Sequence, residues 1–331
     1  MIRLRLKRTI PFLLIAFFIG LLWLMPSCHQ SNAKKNDPTR GAISISGAFA
    51  LYPLTVMWIQ EFNKTYPDIR IDVSAGGAGK GMADVLADMV DLAMFSREVL
   101  PIETQKGAWQ IAVAKDAVVA VINDKNPFAS EIYANGFTRE ELILLYTSNK
   151  PLKWQDILPV DNTEDFMHVY TRSDACGAAQ VWAKYLGVNQ ENLNGIGVFG
   201  DPGIADAVKK DLLGFGYNNI AYVYDIKNLG VRAGLEIVPI DKNGNGIIDE
   251  EEDFYGSLDA LLAAIQDGRY PSPPARELYF VSNGIPKSEQ VKTFLNWVLT
   301  DGQRYIAQAG YVQLTESQIS EQLQKLQNAS H

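Results

Sequence analysis

A permanent cation, a thiol and a glycine share the stretch Tyr170–Gln180, YTRSDACGAAQ. Arg172 carries a planar fork of donors. Gly177 lets the backbone turn tightly and come close to a ligand. The segment Ala178–Leu186 can be helical, and a helix start offers unpaired N–H groups and the positive end of its dipole. Together these features suit the capture of an anion. Taken alone, the stretch reads equally well as a surface turn with an exposed arginine. Two upstream loops of similar design shift the balance. Ser74–Gly81, SAGGAGKG, joins a strand over Ile69–Val73 to a helix over Met82–Val90. The loop from Gly47 to Pro53 follows a strand over Ala42–Ser46. It opens a helix whose Leu54, Met57, Trp58 and Phe62 lie on one apolar face. SAGGAGKG is not a P-loop, because Gly81 stands where Ser or Thr would follow the lysine. Its plain alternative is a flexible strand-to-helix connection. Loops at the C-terminal edges of strands are where α/β sheets bind ligands.

Asp241–Glu252, DKNGNGIIDEEE, carries a second kind of chemistry. A calcium loop of the EF-hand type needs oxygen ligands at positions 1, 3, 5, 7, 9 and 12, with glycine at 6. Asp241, Asn243, Asn245, the carbonyl of Ile247, Asp249 and Glu252 fill those positions, and Gly246 takes the sixth. The alternative is an acidic surface turn. The preceding Leu235–Ile240 looks extended, so a structural Ca²⁺ clamp is expected rather than a sensor that opens.

Cys176 near a helix start could have a lowered pKa and act as a nucleophile, with His168 upstream as a partner. A thiol-phosphatase cradle requires arginine six residues after the cysteine, and position 182 is Trp. His29 lies in a polar linker and His331 is terminal, so no histidine cluster for zinc exists. Cys176 reads more simply as a small buried residue lining a cleft, and His168 as a strand-end residue. An enzyme is therefore not expected.

The elements that position these groups follow from the rest of the chain. The 331 residues suffice for two medium domains, and 47% apolar with 21% charged content is ordinary for a globular protein. Net charge is −8, and Arg3, Arg5, Lys7 and Arg8 all fall in the first 27 residues, so the remainder carries −12. That disfavours nucleic acid or an anionic membrane face as a partner, but not a small anion. Residues 1–27 read as an export signal, a basic start followed by the apolar run Ile10–Met25. Pro26-Ser27-Cys28 resembles a lipoprotein cleavage site, although Met25 and Pro26 are unusual there. The expectation is a lipidated Cys28 followed by a polar tether over 28–40, and the alternative is an uncleaved membrane anchor. Cys176 would then have no disulfide partner.

Further along, an apolar run through Ile111–Val113 and Ala117–Asn123, broken by Lys115-Asp116, reads as a crossing into a second domain. Thr138 and Glu141 form a capping box. Helices are expected over Ile204–Leu212, Leu258–Gln266, Ser288–Leu299 and Gly302–Gln308, and strands over Ile220–Tyr224 and Leu278–Val281. The stiff segment Tyr270–Pro274 is a candidate crossing back. Trp58 and Trp297 fall on apolar helix faces, and Trp109 and Trp182 also read as core residues. Tyr217 and Tyr224 could reach a cleft.

At this point the chain resembles the PstS-type phosphate-binding proteins, the solute receptors of ABC importers. SGAFALYP, SAGGAGKG, DLAMFSREV, YTRSDACGAAQ, NNIAYVYD, YPSPPARELYFVSNG and AGYVQL carry the resemblance in order from Ile43 to Leu314. It implies an α/β fold of two lobes with a cleft between them and two extended crossovers, closing by hinge motion. The lobes would be 41–117 plus 278–331, and 118–277 with the calcium-type loop 241–252. It also implies a phosphate ligand, an ABC permease as partner and an exported, membrane-tethered location; a monomer is expected. Carried over by position, the first ligand loop falls on Ala50 and Leu51. The second falls on Ala78, where the family usually has serine, beside Gly79. The family's acidic position falls on Ser96, followed by Arg97. Arg172 and Asp174 are kept, and the family's Ser-Gly-Thr falls on Cys176, Gly177 and Ala178. Several hydroxyls thus become methyl groups, each a loss of roughly 1 kcal/mol of hydrogen bonding. Phosphate remains the first expectation, with another oxyanion or a larger anionic solute as the alternative. An anion scavenger or sensor without an importer is equally compatible with these residues. Removing Arg172 is expected to abolish binding with little loss of fold.

Overall fold

The structure, a computed structural model, describes residues 39–160 and 163–328. The export signal, Cys28 and the tether up to residue 38 lie outside the described residues. The chain enters through β1 (Gly41–Gly47), β2 (Ile69–Ala75) and β3 (Leu92–Phe95). β1 pairs in parallel with both β2 and β3, as strands joined through crossover helices do. The helix Tyr52–Thr65 covers this sheet. Pro53 sits in its first turn, and Leu54, Trp58 and Phe62 are fully buried along one stripe. Trp58 donates its indole N–H to the carbonyl of Gly302 at 2.8 Å, which fixes the C-terminal part of the chain to this helix.

β4 (Ala108–Ile122) then runs through both halves of the molecule. The expected break at Lys115-Asp116 is absent, because both residues pair with the returning strand β9 (Ala275–Asn283). β9 lies antiparallel to β4 from Ala108 opposite Asn283 to Ala117 opposite Ala275, and antiparallel to β3 on its other edge. The two crossings are therefore neighbouring strands of one ladder. Tyr270–Pro274 only leads into the second of them.

Beyond Ala117, β4 becomes a strand of a second sheet. It pairs there with β7 (Gly214–Asn219) and β8 (Glu236–Val238). β5 (His168–Arg172) and β6 (Ile196–Val198) extend that sheet in parallel beyond β7. Side chains of β4 alternate with period two. Ala117, Val119 and Val121 face a core with Ile204, Leu261 and Tyr270. Val118, Ala120 and Ile122 face a core with Phe137, Trp154 and Trp182. A third core, around Trp58, Phe62, Phe280 and Phe294, lies in the first half.

Several local expectations change. Ile220–Tyr224 is not a strand: the strand ends at Asn219, and a single helical turn, Ile220–Val223, follows. The apolar residues of this run are buried by packing on β4 rather than by sheet pairing, and a short apolar run does not distinguish the two. Gly302–Gln308 forms two 3-10 turns, Asp301–Tyr305 and Ala307–Ala309. The helix after SAGGAGKG begins earlier than expected, at Ala78, and ends at Leu86. The Thr138 capping box is formed, with Thr138 Oγ1 accepting from Glu141 N and Glu141 Oε2 accepting from Thr138 N. Among the described residues no helix is long and apolar enough to cross a membrane.

Candidate functional site

The three loops meet between the two halves. The first is a 3-10 turn, Phe49–Leu51, pinned from both sides. Tyr311 donates to the carbonyl of Ala50 at 2.7 Å, and Tyr222 donates to that of Phe49 at 3.0 Å. The second loop folds back on the first, with Gly76 N and Gly77 N donating to Gly47 O at 2.9 and 3.0 Å. The helix Gly177–Leu186 brings its start against both. Gly79 N donates to Ala175 O at 3.1 Å, across the divide. Gly177 packs so closely on Ser96 that a Cβ there would overlap the serine hydroxyl and carbonyl. Only glycine permits that approach.

Ala50, Leu51, Ala78, Ser96, Cys176 and Ala178 are all buried at this junction. Arg172 lies among them, at the end of β5, with its side chain 1% exposed. It is not an open cation. Nε and Nη2 donate to Asp174 Oδ1 and Oδ2 at 2.8 and 2.7 Å, a bidentate fork. Nη1 donates to Asp201 Oδ2 at 2.7 Å. Burial opposes the guanidinium charge, but Asp201 and Asp174 more than offset this and hold its pKa up. Phe49 lies beneath, with the guanidinium carbon 5.7 Å from its ring centre.

Arg97 is turned to another task. It makes a two-pronged pair with Glu103, at 2.8 and 2.6 Å, and stacks 4.4 Å over the Phe95 ring. It lines a cavity of about 490 Å³ at the mouth of the junction, with Gly79, Cys176, Gln180 and Lys184. A second cavity of about 590 Å³ also includes Arg97, with Lys115, Lys184 and Arg276. Arg172, Ala50 and Ala78 line neither.

Other residues complete the network without having stood out in the sequence. Asp201 starts the helix Gly200–Lys210, and its carboxylate also accepts from the Asn219 side chain. Arg276, on β9, donates to Asn219 Oδ1 and, at 3.1 Å, to Gly177 O. Arg276 Nε lies 3.0 Å from Asp116 Oδ1, directly opposite on β4. Asp116 is fully buried, and burial pushes its pKa up to about 7 against the opposing pull of Arg276. The one available signal was a charged pair inside an apolar strand, which reads as a break when the partner strand is unknown. Tyr217 does reach the site: its hydroxyl contacts Thr171 Oγ1 at 3.0 Å and accepts from Arg172 N at 3.3 Å. Tyr224 does not, since it donates to Tyr255 O inside the second half.

A family model described as a PBP superfamily domain matches residues 32–302. The chain belongs to the PBP superfamily. Phosphate-binding protein PstS of Staphylococcus aureus (strain USA300) is 21% identical over 318 residues, covering 93% of this chain and 89% of its own length. Protein SphX of Synechococcus elongatus is 24% identical over 292 residues, covering 83% and 78%. Among solved structures, a Clostridium perfringens substrate-binding protein with bound phosphate superposes with a TM-score of 0.67 at 18% identity. It covers 83% of this chain and 100% of its own. An ABC-type phosphate transport receptor from Vibrio cholerae gives 0.59 at 18% identity, covering 82% and 100%. The PstS-type resemblance read from the motifs thus holds in both comparisons, and the two-lobe PBP fold is the one observed.

Proposed function

We propose that the chain is the solute receptor of an ABC importer and captures an oxyanion, phosphate first, between its lobes. The observation that carries this reading is the meeting of three strand-to-helix loops around the buried Arg172. Two helix starts, at Ala78 and Gly177, bring backbone N–H groups and dipoles to that point. The names of the PstS relatives support phosphate and import. Capture then requires the lobes to part and the oxyanion to exchange with the Asp201 carboxylate at Arg172 Nη1. The backbone donors compensate for the hydroxyls missing at Ala50, Ala78 and Ala178.

A larger anionic solute is the second reading. The cavity of about 490 Å³ at the mouth of the junction, flanked by Arg97 and Lys184, favours it. Catalysis finds no support at Cys176. Burial pushes its thiol up to about 12, against the pull of Arg172, so it stays protonated near neutrality. His168 is held by Asp211 at 2.8 Å on the exposed end of β5. We read the protein as a monomer tethered through Cys28, outside the cytoplasm; release of a Cys28→Ala variant from the membrane fraction checks the anchor.

Isothermal titration of the purified chain with phosphate, sulfate and a sugar phosphate tests the ligand. Tight phosphate binding with weak sulfate binding supports the first reading. Sugar-phosphate binding with no phosphate heat moves the assignment to the second, and silence from all three overturns both.

A further inference from the structure

The loop Asp241–Glu252 is not used by the anion site. It begins after β8, just past Ile240, and returns at Phe254 and Tyr255, which are both buried in the second lobe. Its base is tied to the body of that lobe. Phe137 bridges in parallel to Ile240, Ile248 N donates to Ala134 O at 2.8 Å, and Ile240 N donates to the Tyr255 hydroxyl at 3.1 Å. Gly246, at position 6, has φ of +81°, a left-handed conformation that favours glycine at a sharp turn.

The ligand positions close on one another. Asp241, 2% exposed, accepts from Gly244 N at 2.7 Å and from Gly246 N at 2.9 Å. Asn243 and Asn245 both reach Asp249 Oδ2, at 2.7 and 3.0 Å. Glu252, at position 12, is 6% exposed. Its Oε1 accepts from Lys242 N at 2.9 Å and Asn243 N at 3.3 Å, which points the carboxylate back across the first turn of the loop. Its Oε2 is buried and accepts no hydrogen bond. A carboxylate oxygen buried without a partner costs free energy, and native structures satisfy such groups with water or an ion. Two basic residues, Lys242 and Arg269, line the same cavity as Asn243, Asp249 and Glu252, but both are engaged: Lys242 Nζ donates to Arg269 O, and Arg269 pairs with Asp267.

Among the described residues no three His, Cys, Asp or Glu side chains gather closely enough to hold a metal by themselves. The loop's donor set is mixed: three carboxylates, two amide oxygens and the Ile247 carbonyl. Such an all-oxygen set with flexible geometry suits Ca²⁺ and suits Zn²⁺ or Mg²⁺ poorly. We propose that Asp241–Glu252 binds one Ca²⁺ and clamps the bridged segment at Ile240 to the helix Ala129–Asn135. Glu252 Oε2 turns to the ion, and the amides of Asn243 and Asn245 rotate to present oxygen. The weakest loops of this type, those of extracellular modules, bind Ca²⁺ with dissociation constants of about 10⁻⁴–10⁻³ M.

The test uses the full chain stripped with chelator and titrated with CaCl₂, without phosphate, by calorimetry and thermal melts. One Ca²⁺ per chain is expected. Its melting temperature should rise by about 5–10 °C at 100 times the dissociation constant. Glu252→Gln and Asp249→Asn should each lose at least tenfold in Ca²⁺ affinity, while phosphate heats stay as in the parent chain. Asp249 is half-buried, so its variant decides the matter even where Glu252→Gln fails to fold. No heat and no melting shift at about 10 mM Ca²⁺, well above that range, or an undiminished response in the variants, overturns the proposal. Calcium binding alongside absent phosphate binding would leave the clamp standing and remove only the ligand assignment.

Discussion

Arg172 and Asp201 meet at 2.7 Å with side chains 1% and 2% exposed. They come from different elements, the end of β5 and the first turn of the helix Gly200–Lys210. Asp174 takes the remaining edge of the same guanidinium. The central cation of the site is thus matched inside the protein by two carboxylates, and the consequences are measurable.

Arg172→Ala should abolish anion binding and also destabilise the fold. This corrects the expectation from sequence that the fold would barely notice. Removing one partner of a buried ion pair leaves an uncompensated charge and costs about 3–5 kcal/mol. Chemical denaturation should show this loss, and adding Asp201→Asn should recover part of it. An unchanged midpoint for the single variant would contradict the buried pairing.

Asp201→Asn keeps the shape of the site and removes a negative charge beside Arg172. Phosphate affinity should rise about tenfold, or about 1.4 kcal/mol. Titration of the parent and variant under identical salt measures it. A drop in affinity would mean that Asp201 positions Arg172 rather than competing with the ligand.

Gly177→Ala places a methyl group where Ser96 now lies. The lobes could then no longer close, and affinity should fall at least a hundredfold while the melting temperature changes little. Small-angle scattering with saturating phosphate should show no compaction in this variant.

Asp116 gives a pH dependence with a defined sign. Burial raises its pKa to about 7 in the folded protein, against roughly 3.9 in an unfolded chain. Between these values the folded state holds the extra proton. The contribution of Asp116 is therefore greatest below about pH 4 and is lost as pH rises to about 7, by at most about 4 kcal/mol. Melts across this range should show a shallower decline for Asp116→Asn than for the parent. Parallel slopes would remove Asp116 from the account.

The sequence by itself determined whatever depends on near neighbours. Helix faces such as Leu54, Trp58 and Phe62 follow from a 3.6-residue period, and the motif Asp241–Glu252 is contiguous, so its positions can be counted directly against the EF-hand pattern. The three strand-to-helix loops were legible for the same reason. Tertiary structure alone decided what those loops enclose. Arg172 could be read as a cation but not as a neutralised one, because Asp201 lies 29 residues away on another element. The Lys115-Asp116 step looked like a break because the strand that pairs with it, carrying Arg276, comes much later in the chain. Whether a buried charge is free, paired or protonated depends on distances through space and on the exclusion of water. Both are set when distant segments pack together, and neither is written in local spacing.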